Sequence, residues 1–141
     1  MLPVKQSFVS TPNGFVVPGD CIRAAVASVL DLHIELVPHF LLFDKGWGSA
    51  LADWLYYKNL GMVVYTDDES ETEGWKELEI EVRPLAEAPD GVYMVASGDS
   101  PNVEGGHALV SYGKEVVHDV HPSNKGLLGE PWEYWHIFPK L

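Results

Sequence analysis

The period of the hydrophobic residues changes once along this chain, near residue 61, and the change demands a fold in which helices come first and a sheet follows. Before it, Ile22, Ala25, Val26, Val29 and Leu30 recur at i, i+3, i+4, i+7 and i+8, the spacing of a buried helical face. This helix opens at Cys21 behind Asp20, a favourable N-cap residue. It is predicted to stop near Leu32, because Val37 precedes Pro38 and a residue before proline is driven out of helical angles. A second helix is expected over 48–60, with Leu51, Trp54 and Leu55 apolar, Tyr56 and Tyr57 adding bulk, and Gly61 as its C′ residue.

Beyond that point short β-rich runs take over, at 62–65, 78–82, 92–96, 107–112, 115–118 and 134–138. Tyr112-Gly113-Lys114-Glu115 reads as a hairpin that lays the strand of His107 beside the strand leading to Asp119. The expected class is therefore α+β, with N-terminal helices packed on an antiparallel sheet. The length of 141 residues suits one domain over 1–141. Residues 1–19 carry turn signals at Pro12-Asn13-Gly14 and Pro18-Gly19, so an ordered or semi-ordered lead-in without a long helix is expected there.

Nine Lys+Arg stand against 21 Asp+Glu, a formal charge of -12, and no basic patch gathers that could neutralise phosphates, which argues against nucleic acid as a partner. Acidity concentrates in Asp67-Asp68-Glu69-Ser70-Glu71-Thr72-Glu73, read as a solvated loop. The single cysteine cannot form an internal disulfide, so folding need not depend on an oxidising compartment. The start has no signal-peptide-like apolar run, and no segment approaches the roughly 20 apolar residues of a membrane helix. A soluble, cytoplasmic protein without a membrane partner is the expectation, and the sequence leaves its oligomeric state open.

A thiol attacks only as thiolate and so needs an electropositive site. Cys21 stands at the first helical position, where unpaired N–H groups and the helix dipole favour an anion and can also donate to a tetrahedral oxyanion. A cysteine serving as a core hydrophobe would sit on the apolar stripe instead. Asp20 is the difficulty, since its charge opposes a thiolate unless its carboxylate is committed to capping. His107 follows Glu104-Gly105-Gly106 at the start of an apolar strand, so its imidazole stands at the rim of the sheet, and the hairpin brings Asp119 within hydrogen-bond reach of it. His118 and His121 flank Asp119, but adjacent strand residues point to opposite faces, so no metal site is expected. His33, His39 and His136 read as structural or surface groups.

Gly19-Asp20-Cys21-Ile22-Arg23-Ala24-Ala25-Val26-Ala27-Ser28-Val29-Leu30, continued by Val37-Pro38-His39-Phe40, resembles the nucleophile helix of small papain-like cysteine hydrolases, similar to the bacteriocin-processing peptidases of bacteria and their phages. Gly105-Gly106-His107-Ala108-Leu109-Val110 resembles that family's histidine strand, and Val117-His118-Asp119-Val120-His121-Pro122-Ser123 its acidic partner strand. The resemblance implies Cys21 as nucleophile, His107 as general base and Asp119 as the group orienting it. It also implies a glutamine ahead of the cysteine that donates to the oxyanion. Gln6 is the one available, farther from Cys21 than is usual, so Pro12 to Pro18 must loop out to bring it back.

Asp20, Trp47, Gly105 and Gly106 are the expected substrate contacts, Trp47 because its glycine neighbours supply no packing shell, while Trp132 and Trp135 could wall the site. The implied reaction is cleavage of a peptide, isopeptide or amide bond through a thioester, without cofactor, on a peptide or small amide substrate. If the chain is phage-encoded, its own expected location is the host cytosol. Two alternatives stay open: an inactive scaffold that binds a small ligand or partner peptide, and a transferase that passes the acyl group to an amine.

Overall fold

The computed structural model describes residues 1–8 and 19–140. Among the described residues three helices, α1 (Cys21–Val29), α2 (Trp47–Tyr57) and α3 (Glu69–Glu77), accompany six strands: β1 (Leu60–Thr66), β2 (Glu81–Arg83), β3 (Tyr93–Asp99), β4 (Gly106–Tyr112), β5 (Glu115–His118) and β6 (Leu128–Pro139). Short 3-10 turns lie at Ile34–Leu36, Phe40–Leu42 and Leu85–Glu87. The strands form one sheet in the order β2-β1-β6-β3-β4-β5, and the chain is α+β. Among the described residues no single helix is long and apolar enough to cross a membrane.

The expected sheet was wholly antiparallel, and the observed one is mixed. β2 runs parallel to β1, whereas every other pair is antiparallel. The cause is α3, which lies between β1 and β2 and supplies the crossover that parallel neighbours require. That helix occupies much of the acidic stretch expected to be a solvated loop. The Asp68 carboxylate accepts the Glu71 N–H at 2.9 Å, Glu69 and Glu71 sit in the first turn, and Lys76 in the last, so the run complements the helix dipole. Only its far end carries an apolar anchor, Trp75, which is buried.

Residues 78–80, expected to begin a strand, instead close α3. The Leu78 N–H bonds back to the Trp75 carbonyl, Glu79 takes a left-handed φ of 61°, and pairing starts only at Glu81. α2 likewise ends earlier than expected. Asn59, at φ 57°, is the left-handed residue after its last turn, and Gly61 lies inside β1. The glycine is needed there for a close approach, because a Cβ at 61 would stand 2.5 Å from the Phe138 ring on the paired strand β6. The hairpin between β4 and β5 forms as expected, with Gly113 at φ 59° in its turn.

α1 stops at Val29, and Asp31 leaves it with a φ of 57°. It is buried nearly all round, with Ala24, Ala25, Val26 and Ala27 at 0% exposure. Three alanines among these four let the helix lie close against β3 and β4. The N-terminal segment covers its other side, where the Leu2 N–H donates to the Ser28 carbonyl and the Val4 N–H to Ser28 Oγ. Phe40, Leu51, Leu55, Val64, Val95, Val110 and Trp135 fill the core between the helices and this face of the sheet. A smaller cluster of Ala88, Met94, Ala96, Leu109 and Tyr134 lies apart from it.

Candidate functional site

Cys21 is the first residue of α1, half-buried, with its backbone N–H at the end where a helix leaves donors unpaired. His107 is the second residue of β4 and is buried. Its Nε2 lies 2.7 Å from Asp119 Oδ1, and Cys21 lines the same cavity as the ring, near enough to raise its pKa. Since Nε2 is committed to the carboxylate, Nδ1 is the atom left for sulfur. Burial works against a charge on this ring, but the hydrogen bonds to Asp119 and Cys21 outweigh it and carry the His107 pKa up to about 9.

Asp119 is held from both sides. Its Oδ1 also accepts the His121 N–H at 2.9 Å, and its Oδ2 accepts the Gly126 N–H at 2.8 Å. Burial alone would raise this carboxyl; the bonds from His107, His121 and Gly126 bring it down to about 2. The turn that carries it is clasped by the N-terminal segment, for Lys5 Nζ donates to the carbonyls of Asp119 and His121 and to Asn124 Oδ1. His118 Nε2 bonds the Val4 carbonyl at 2.7 Å and His121 Nδ1 accepts the Ser123 N–H, so neither of these ring nitrogens is turned to the Asp119 carboxylate.

Gln6 joins this group. Its N–H donates to the Val120 carbonyl at 3.0 Å, and its side chain lines the cavity that also contains Cys21 and His107. The looping-out expected over Pro12 to Pro18 lies outside the described residues, but its ends meet: the Asp20 N–H donates to the Phe8 carbonyl, and the Phe8 N–H to Asp20 Oδ1. Gln6 Nε2 donates to that same Phe8 carbonyl, which fixes the orientation of the amide and leaves one N–H to spare. His121 Nδ1 accepts the Ser123 N–H, so in the neutral ring Nε2 carries the proton. That donor and the acceptor Gln6 Oε1 are both buried in the wall of the same cavity, and neither has a partner among the described residues.

Asp20 holds the N-cap position without capping. Fully buried, it accepts the Phe8 N–H and pairs with Arg23 Nη1 at 3.5 Å, and it is not among the residues lining the cavity. The Arg23 guanidinium thus meets the charge that capping was expected to absorb, and Asp20 is a tether for the N-terminal segment instead of a substrate contact. Asp20→Ala is expected to cost about 2 kcal/mol of unfolding free energy in urea titrations, because it leaves a part-buried N–H and a partly buried guanidinium without their carboxylate.

The cavity, about 350 Å³, is lined by Gly106 but not by Gly105. Trp47 lines it as expected, yet it does have a packing shell: its ring stacks on Trp135 at 5.6 Å and 19° and meets Trp75 edge-on. Trp132 also walls the cavity, whereas Trp135 is a core residue. Sequence reasoning passed over Glu71, Ser97, Ser100, Asn102 and Glu133, which line it too. The spacing Asp68-x-x-Glu71 was a legible helix-start signal for the first of these. Glu133 announces itself only as a lone carboxylate between two tryptophans, Trp132 and Trp135.

Comparison with known proteins returns no match: no family model, no curated protein and no solved structure is similar to this chain.

Proposed function

We propose that this chain is a papain-like cysteine hydrolase that cleaves a peptide, isopeptide or amide bond through a thioester at Cys21. The observation carrying this reading is the 2.7 Å contact between His107 Nε2 and Asp119 Oδ1 on a buried ring that also engages the cysteine. A carboxylate behind an imidazole selects its tautomer and stabilises its charged form, and a charged imidazole beside sulfur is the condition under which a thiolate persists.

With its pKa near 9, the His107 ring is protonated at neutral pH, so its first task is that of an acid. The Cys21 thiolate attacks the substrate carbonyl. The developing oxyanion is met by the Cys21 N–H and the spare N–H of Gln6. Imidazolium then gives its proton to the leaving amine as the C–N bond breaks, leaving a thioester and a neutral ring. Neutral His107 next takes a proton from water, whose oxygen attacks the thioester; the C–S bond breaks, and the acid product departs from a restored thiolate–imidazolium pair. The Arg23 pairing of Asp20 supports this scheme, since it offsets a nearby charge that would otherwise oppose the sulfur anion.

The direct test is alkylation. At pH 6, iodoacetamide is expected to modify Cys21 about tenfold to a hundredfold faster than free cysteine, because a free thiol is then almost wholly protonated. Peptide mapping by mass spectrometry gives the rate. A value at or below that of free cysteine would remove the nucleophile from the scheme and leave a binding scaffold.

A further inference from the structure

The cavity at Cys21 continues away from the His107–Asp119 pair to Trp47, Glu71, Trp132 and Glu133. A second cavity, about 180 Å³, shares Trp47 and Glu71 and carries the groove onward past Ser70 and Gly74. Glu133 is 1% exposed, and both of its oxygens are occupied by indoles: Oε1 accepts from Trp75 Nε1 and Oε2 from Trp135 Nε1, each at 2.8 Å. Glu71 lines the cavity together with Glu133 and acts on it electrostatically, and Trp47 stacks on Trp135 at the same place. Two carboxyls, one buried and one half-exposed, therefore share a corner of the cavity walled by tryptophan faces.

Nothing in the catalytic scheme uses this corner. Burial raises Glu133, the indole donors oppose the rise, and the charge and hydrogen bond of Glu71 add to it, bringing the carboxyl to about 7. A cation placed beside Glu133 would oppose that rise. Among the described residues no lysine or arginine lines either cavity, and apart from the His107 and His121 rings the ionisable lining groups besides Cys21 are Glu71 and Glu133. Glu133 gives the Trp75 and Trp135 indole N–H groups their acceptors, a role that needs no second carboxyl, whereas Glu71 beside it adds a like charge that a purely structural arrangement would avoid. A carboxylate edge with an indole face is the combination that receives an ammonium group, through charge-assisted hydrogen bonds and cation–π attraction.

We infer that this end of the cavity is a subsite for a substrate's alkylammonium group, such as a lysine side chain, held between Glu71, Glu133 and the Trp47 ring. The distance suits it. Ala108, next to His107 in β4, pairs with Ser97, and Ser97 pairs with Glu133, so the two outer backbones are two inter-strand spacings apart, about 10 Å. An alkyl tail reaching from the Cys21 side of the cavity to this corner covers an interval of that order, and its ammonium meets the two carboxyls.

This inference rests on the proposed reactivity of Cys21, and one experiment separates the two. Three haloacetamides with tails of equal length, aminoalkyl, alkyl and carboxyalkyl, are reacted with the full chain and followed by mass spectrometry. The aminoalkyl probe is expected to label Cys21 about tenfold to a hundredfold faster than the alkyl probe, with saturation, and the ratio should fall close to one in Glu71→Gln and in Glu133→Gln. Equal fast rates for all three, or a faster carboxyalkyl probe, would overturn the subsite while leaving the reactive cysteine standing. If all three react no faster with Cys21 than with free cysteine, the hydrolase reading fails, and the subsite is then judged by titrating tryptophan fluorescence with pentylammonium. A saturable change lost in Glu71→Gln upholds the subsite, and no change overturns it.

Discussion

Cys21→Ala is expected to lower turnover of any substrate of this chain by about ten-thousandfold or more, and His107→Ala by a similar factor, with the double variant little worse than either. The lack of additivity is the informative part, because a sulfur and an imidazole acting as one ion pair lose their function together. The first change should spare the fold. Cys21 is half-buried at a helix start, and alanine is the best helix former, so a thermal midpoint within a few degrees of the parent is expected. His107→Ala removes a buried ring, and circular dichroism is needed beside the kinetics to separate lost chemistry from lost structure. Under the proposed mechanism, acylation in the parent should decline as pH rises through about 9, where His107 loses the proton that the scheme assigns to the leaving group. Full activity in Cys21→Ala would end the proposal.

Asp119→Asn is the second large effect, expected to slow turnover by about a thousandfold to ten-thousandfold, since an amide no longer stabilises the charged ring or selects its tautomer. The same change carries a stability signature. The Asp119 carboxyl is lowered from 3.8 to about 2 in the folded protein, so the stability it contributes is present above pH 3.8 and is lost as pH falls through about 2. His107 is raised from 6.5 to about 9, so its contribution is full below pH 6.5 and is lost as pH rises through about 9. Both are complete only between about pH 4 and 6.5, and they report largely one shared interaction, worth about 2 kcal/mol. Urea midpoints of parent and Asp119→Asn should therefore differ most in that window and converge outside it. A difference that ignores pH would mean that the carboxylate and the imidazole are not coupled in solution.

The parts of the fold legible beforehand are those whose signal is local. The buried stripe of α1, the strand runs of β1, β3, β4, β5 and β6, and the Gly113 hairpin all follow from periodicity or from a turn residue within a few positions. The misreadings share a cause. Gly61 looked like a helix terminator because its actual constraint, the Phe138 ring, lies on a strand far along the chain. The acidic run looked like a loop because its only apolar anchor, Trp75, is held by distant Glu133. Asp20 looked like a cap or a substrate contact because its two partners, Phe8 and Arg23, cannot be told from any other neighbours by spacing.

The sequence by itself determined which residues could do chemistry: one thiol at a helix entrance, and an imidazole and a carboxylate on two strands joined by a tight turn. These are decided by covalent order and short-range preference. Only the tertiary structure decided that β6 enters the middle of the sheet, between β1 and β3, and sets Glu133 among the indoles of Trp75 and Trp135 with Glu71 beside it. It alone decided, too, that Lys5 and Gln6 reach the turn of Asp119. Such meetings depend on which strands pair and on what the core leaves unfilled, quantities set by the whole chain at once.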